Sequence, residues 1–285
     1  MKPLIVITGP TASGKTDVAI RLALELDGEI VCADSRTVYK GLDIGTAKPT
    51  VEERAIVPHH LLDCVLPNEP YNLARFQRDA RAAIIAIRGR GKVPFLVGGS
   101  GLYIDSIVLD YKLGSEPDMA RRADLEALSL EQLSAYCDSN NVKLPDNAHN
   151  KRYVIRAIEQ HGINTKRRSS PDANTFVVAI STDKEVLKHR IQERARLMYK
   201  GSLVTEAQTV ADEYGWGIAP LQAPAYKPIC RLLNNEITQP EAIATLAHDD
   251  WQLARKQLTW LRRHDWIHWL ELREVESYVR SLITH

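Results

Sequence analysis

The sequence predicts an α/β fold, a parallel sheet flanked by helices, with a small α-helical insertion. Three observations carry that prediction. Short apolar, β-branched runs recur along the chain without the polar alternation of a half-exposed strand, as buried parallel strands do. Amphipathic stretches of helical period lie between them, and a strand, helix, strand order implies crossovers that wrap a parallel sheet. A glycine-rich turn sits at the first strand-to-helix junction, where such sheets gather their ligands.

Leu4 to Thr8 is the first strand, ending at Gly9. Asp17 to Leu26 carries Val18, Ile20, Leu22, Leu24 and Leu26 among alanines and reads as a helix closed by Asp27-Gly28. Glu29 to Ala33 is the second strand and His60 to Val65 a short third. Tyr71 to Arg88 places Leu73, Phe76, Ala80, Ile84 and Ile87 on one helical face, and Val93 to Val97 follows as another buried strand. From 112 to 150 the pattern becomes polar and helical, with Leu125, Leu128, Leu130 and Leu133 as its regular apolar positions; this is the expected insertion, dividing a first core part, 1–111, from a return to the core over 151–285. Lys151 to Gln160 is a predicted helix, and Phe176 to Ile180 a strand that rejoins the sheet. Helices are predicted over Lys184 to Tyr199, Thr205 to Tyr214, Cys230 to Asn234 and Glu241 to Arg263.

With 44% hydrophobic and 26% charged residues over 285 positions, a disordered, fibrous or membrane-bundle protein is excluded. The uncharged run Val93 to Ile104, broken by Pro94 and small residues, is too short to span a bilayer, so no membrane partner is expected. The start, Met1 to Pro10, lacks the apolar length and cleavage site of a signal peptide, and a cytoplasmic protein is expected. Cys32, Cys64, Cys137 and Cys230 have no zinc spacing and read as reduced thiols. Lys plus Arg number 37 against 36 Asp plus Glu, so any polyanion site must be a local patch rather than a global field.

The sharpest motif is Gly9-Pro10-Thr11-Ala12-Ser13-Gly14-Lys15-Thr16, a full match to G-x-x-x-x-G-K-[ST] between a predicted strand and a predicted helix. Backbone N–H groups of such a loop turn towards phosphate oxygens, Lys15 adds a point charge and Thr16 can hold Mg²⁺. The fold is therefore P-loop NTPase-like, and a diphosphate or triphosphate binds there. The strand Val93 to Val97 ends in Gly98-Gly99-Ser100-Gly101 instead of the carboxylate an ATPase places on a neighbouring strand. That favours a bulky ligand over metal-driven hydrolysis, with Asp63 left as a possible substitute acid. The second strand ends in Asp34-Ser35, at the ligand end of the sheet. Asp34 can take a proton from an attacking hydroxyl or amine, and can equally cap a helix before Tyr39.

Further blocks follow in fixed order: Asp34-Ser35-Arg36-Thr37-Val38-Tyr39, Leu42 to Pro49, Pro58 to Asp63, Gly98 to Tyr103, Lys151 to Glu159, Leu187 to Arg194 and Ala254 to Trp260. Together with the phosphate loop, they resemble the tRNA dimethylallyltransferase family over nearly the whole chain. The resemblance implies transfer of a dimethylallyl group from dimethylallyl diphosphate to the exocyclic amine of the adenosine 3′ of a tRNA anticodon. It implies Asp34, Thr16 and Arg194 as catalytic residues, Asp34 deprotonating the amine, and Gly9 to Thr16 as the diphosphate loop with Mg²⁺ at Thr16. It implies tRNA contacts from Asp34, Ser35, Arg36, Thr37, Ser100, and Arg152, Tyr153, Val154, Ile155 and Arg156. The partners are then the tRNA anticodon stem-loop and the allylic diphosphate, and a monomer is expected.

The charge pattern fits local phosphate contacts. Lys151 to Arg168 holds six Lys or Arg against Glu159 alone, and Arg255, Lys256, Arg262 and Arg263 have no acid between them, which adds Arg255 to the tRNA side. Solvated helix faces carry such charges too. Two departures stand out: Thr37 where many members have glutamine, and Ala223-Pro224-Ala225-Tyr226-Lys227-Pro228, where the family shows a glycine before the tyrosine and an acid after the lysine. The second segment is expected to meet RNA. His59, His60 and Asp63 suggest structural hydrogen bonding more than metal, and Trp251, Trp260, Trp266 and Trp269 suggest packing more than base stacking. Rival readings are a small-molecule kinase with Lys166 to Arg168 as a phosphate lid, an isopentenyltransferase of free adenine nucleotides, and an RNA-binding NTPase without catalysis.

Overall fold

The computed structural model describes residues 1–113, 118–145, 147–160 and 167–283. Lys166, the first residue of the suggested lid, lies outside them. A six-stranded, all-parallel sheet runs in the order β3-β2-β4-β1-β5-β6. Its strands are β1 (Leu4–Thr8), β2 (Gly28–Cys32), β3 (His59–His60), β4 (Val93–Gly98), β5 (Thr175–Ser181) and β6 (His268–Glu271). The three central strands β1, β2 and β4 are buried along their whole length, which is why they read as unbroken apolar runs.

Helices α1 (Lys15–Glu25), α2 (Val51–Ile56), α3 (Leu73–Gly89) and α4 (Gly101–Val108) connect the first strands. Asn72 caps α3 by accepting the Arg75 N–H, and Thr50 and Glu53 close a capping box on α2. After β5 come α8 (Lys184–Lys200), α9 (Leu203–Tyr214), a short 3₁₀ turn at Ala219–Gln222, α10 (Lys227–Leu233), α11 (Gln239–Leu261) and finally α12 (Leu272–Ile283). Ile5, Ile7, Leu22, Phe95 and Val178 pack with Val275 and Val279 of α12 as the sheet-side core.

A second compact unit, Asp105–Ser170, contains α5 (Met119–Ala127), α6 (Leu130–Ser139) and α7 (Lys151–Gln160). It is wider than the expected 112–150, and α7 belongs to it rather than to the returning core. Val154, Ile155 and Ile158 of α7 pack with Leu125, Leu133 and Cys137 in one apolar cluster, so α7 completes the burial of those leucines.

Two further expectations change. The third strand is only His59–His60, with Val65 making an isolated bridge to Tyr39. The last strand and helix, β6 and α12, went unseen in the sequence because β6 is a half-exposed edge strand with a polar pattern. No helix among the described residues is long and apolar enough to cross a membrane.

Candidate functional site

The phosphate loop occupies the β1–α1 turn. Gly14 is the N-cap of α1 with φ 88° and no side-chain cap, so the first-turn N–H groups of α1 are left to a ligand. Ala12 also takes a positive φ of 62°, and Lys15 folds back so that Nζ donates to the Pro10 carbonyl at 3.3 Å. Ser13 Oγ is buried without a hydrogen-bond partner, an orphan polar atom within the loop itself. Arg190, not singled out from the sequence, donates from Nη1 to the Ser13 carbonyl at 3.4 Å.

Thr11, Ala12, Gly14, Lys15 and Arg190 line a cleft of about 480 Å³ at the carboxyl ends of β1, β2 and β4. Lys15, Thr16, Arg190 and Arg194 give it a basic side; Asp34 and Thr37 face it from the loop after β2; Ile30, Cys32, Val97 and Leu272 add an apolar wall. Burial pushes the Lys15 ammonium down to about 8, with Arg194 pushing the same way and Asp34 opposing. Two cations and one carboxylate therefore act on one another across this cleft, an arrangement suited to an anionic leaving group beside a proton acceptor. Arg194 itself is held by Asp250 of α11, Nη2 to Oδ2 at 2.5 Å.

Asp34 caps no helix, because none follows it; Oδ1 accepts the Arg36 N–H at 2.8 Å in an Asx turn. The loop after β2 is tied to the loop after β4: Ser100 N–H donates to the Ala33 carbonyl, and Ser35 N–H donates to Ser100 Oγ at 3.1 Å. Asp34, Ser35, Arg36, Thr37 and Ser100 are thus brought together, with Thr37 buried and Arg36 exposed.

The α7 residues divide. Arg152 and Tyr153 are exposed, and Arg156 pairs with Glu159 at 2.9 Å. The side chains of Val154 and Ile155 are buried and pack in the helical unit's core. Arg255 is exposed on α11.

The Ala223–Pro228 segment is largely buried. Tyr226 is fully buried, with Ala223 and Ala225 beside it in the α9–α11 cluster. Its hydroxyl donates to Glu206 at 2.6 Å, and the same carboxylate accepts the N–H groups of Asp43, Ile44 and Gly45. A Cβ on Gly45 would lie 2.4 Å from the Tyr226 ring, so the two segments meet at van der Waals limits. Through Glu206, Tyr226 thus anchors the 43–45 backbone, while Lys227 of the same segment is exposed.

Asp63 is no substitute metal acid. Its two oxygens take Lys48 at 2.7 Å and Arg54 at 3.0 Å, while Lys48, its side chain fully buried, also meets Asp43 and donates to the Tyr39 carbonyl. His59 donates to the Val57 carbonyl and His60 to Glu29, and no metal-ligand cluster of three His, Cys, Asp or Glu occurs among the described residues. Trp269 lies in β6 and Trp266 stacks on His264.

Sequence reasoning missed Arg190, Lys48, Leu272 and Gln257 around the cleft. The spacing of Arg190 and Arg194, one helical turn apart on α8, was the available signal for the first. Nothing local marks the others, which reach the site only through long-range packing.

Fold and site together define a class: a phosphate-loop α/β protein whose anion cradle shares its cleft with a carboxylate that follows β2, the strand on the far side of β4. Residues 37–264 match the family profile described as IPP transferase, and residues 2–60 one described as isopentenyl transferase. A tRNA dimethylallyltransferase of Desulforudis audaxviator is 41% identical, the match covering 95% of this chain and 93% of that one. One from Moorella thermoacetica is 37% identical over 99% and 95%. The crystal structure of the full-length tRNA isopentenylpyrophosphate transferase from Bacillus halodurans superposes with a TM-score of 0.75 at 33% identity, covering 100% of this chain and 96% of that one. The chain belongs to the tRNA dimethylallyltransferase family, and is a prenyltransferase.

Proposed function

We propose that the protein transfers a dimethylallyl group from dimethylallyl diphosphate to the N6 amine of the adenosine 3′ of the anticodon in tRNA, releasing diphosphate. The observation that carries this reading is one cleft holding both Lys15 and Thr16 of the phosphate loop and Asp34. An aryl amine is a weak nucleophile, so an oriented base and stabilisation of the departing diphosphate are what the barrier demands.

In this reading the first-turn N–H groups of α1, Lys15, Arg190 and Arg194 bind the diphosphate. The amine nitrogen forms a bond to the allylic C1 as the C1–O bond to diphosphate breaks, and Asp34 receives the amine proton. The acceptor base must be extruded from its stack to enter the cleft. Thr16, which lines the cleft, suits Mg²⁺, which is usually held by one or two protein groups plus phosphate oxygens. Bound there, the ion would neutralise charge developing on the diphosphate. Arg152, Tyr153 and Arg255 supply exposed contacts for the stem-loop, with the half-buried Arg156 beside the first two, and the protein works in the cytoplasm as a monomer.

The test is a transfer assay with unmodified tRNA, labelled dimethylallyl diphosphate and Mg²⁺, run beside AMP as acceptor. Label on tRNA alone is expected. Label on AMP alone would move the activity to free nucleotides, and label on neither would direct attention to ATP and phosphoryl transfer.

A further inference from the structure

The side chain of Gln257, near the end of α11, bridges the phosphate loop and the loop after β4. Its Oε1 accepts the backbone N–H of Thr11 in the phosphate loop at 2.8 Å, and its Nε2 donates to the Gly99 carbonyl at 3.0 Å. The two partners fix the orientation of the amide, because a flipped amide would set N–H against N–H and oxygen against oxygen. The approach is close: a Cβ on Gly99 would lie 2.3 Å from Nε2, so glycine at 99 is required by the seat of this side chain. Trp260, one turn further on, closes on the same rim, since a Cβ on Gly101 would lie 2.2 Å from its ring.

From Gly99 the connection continues to Asp34. Ser100 is the next residue, its N–H donates to the Ala33 carbonyl, and its hydroxyl accepts the Ser35 N–H. Gln257 therefore stands at one end of a continuous set of hydrogen bonds whose other end is the turn that carries Asp34. Thr11 is buried, so its N–H has no water to replace a lost partner.

We infer that Gln257 is a positioning residue, which fixes the diphosphate-binding loop against the loop bearing Asp34 and so sets the distance between leaving group and base. The inference rests on the proposed function in naming the anion as a leaving diphosphate and Asp34 as the base. The block Ala254 to Trp260 then has two faces of different purpose: Arg255 outward, Gln257 and Trp260 inward on the phosphate loop and its rim.

The test uses the full chain with inorganic pyrophosphate and Mg²⁺ as the probe and no acceptor, so it is independent of whether prenyl transfer is the activity. Gln257→Met removes both hydrogen bonds at nearly constant volume, and Gln257→Glu keeps an acceptor for Thr11 while losing the donor to Gly99. The pyrophosphate Kd should rise roughly tenfold in the methionine variant and by less in the glutamate variant. The Kd for an anticodon stem-loop, measured in parallel, should stay at the wild-type value. An unchanged pyrophosphate Kd in both variants, or equal losses of pyrophosphate and stem-loop binding, would overturn the assignment.

Discussion

Arg194 of α8 and Asp250 of α11 meet at 2.5 Å, with the Asp250 carboxylate buried and the guanidinium facing the phosphate cleft. An arginine aimed at a diphosphate is thus held in place by an acid that has no exposure of its own to the ligand. Asp250→Ala should cost about 1–3 kcal/mol of stability, because it removes a charged hydrogen bond from a partly buried arginine. It should also raise the KM for the diphosphate donor. Urea unfolding and donor titration check the two parts separately.

Asp34→Asn keeps the acceptor of the Asx turn while removing the base. Turnover should fall by roughly 10² or more, with tRNA affinity within a few fold of wild type. Single-turnover transfer alongside filter binding would show it; a large loss of affinity at unchanged turnover would remove Asp34 from the role of base.

Burial holds the Lys15 ammonium down at about 8, against an ordinary value of 10.5. Its charge supports diphosphate binding, so pyrophosphate affinity should weaken as pH rises through about 8, and binding above that pH should take up a proton. Between about 8 and 10.5 the unfolded chain holds this proton and the folded chain does not. Folding stability from this group therefore increases with pH across that window. Lys15→Met should abolish both dependences, read by calorimetry in buffers of different ionisation enthalpy.

The Glu206 carboxylate accepts from three backbone N–H groups and from Tyr226. Tyr226→Phe should destabilise by about 1 kcal/mol, and Glu206→Gln by more, since an amide cannot accept at both atoms. Protection of the 43–45 amides in hydrogen exchange should fall in the glutamine variant.

Arg255→Ala should weaken stem-loop binding and lower the salt slope of log Kobs by roughly one unit. Val154→Ala should instead reduce stability by about 0.5–1.5 kcal/mol or more, as for other buried aliphatic truncations, and leave the slope unchanged.

Periodicity made the central strands legible because β1, β2 and β4 are buried on both faces and tolerate only apolar residues there. The phosphate loop was legible because its geometry is made within eight consecutive residues. Val154 and Ile155 show the opposite case: they sit inside a basic helix, and only the packing of α7 on Leu125 and Leu133 assigns them to a core. Asp63 is likewise a free acid by its sequence neighbours, and only the fold pairs it with Lys48 and Arg54.

What the sequence alone determined is the parallel α/β order, the anion cradle at Gly9 to Thr16 and the acid that follows the second strand, since each depends on neighbours in the chain. Tertiary structure decided which basic residues surround that cradle. It also decided that Gln257 reaches Thr11 across 246 positions, and that Tyr226 is an internal anchor. Those contacts arise where helices far apart in sequence pack on one another, and no local pattern encodes a partner that distant.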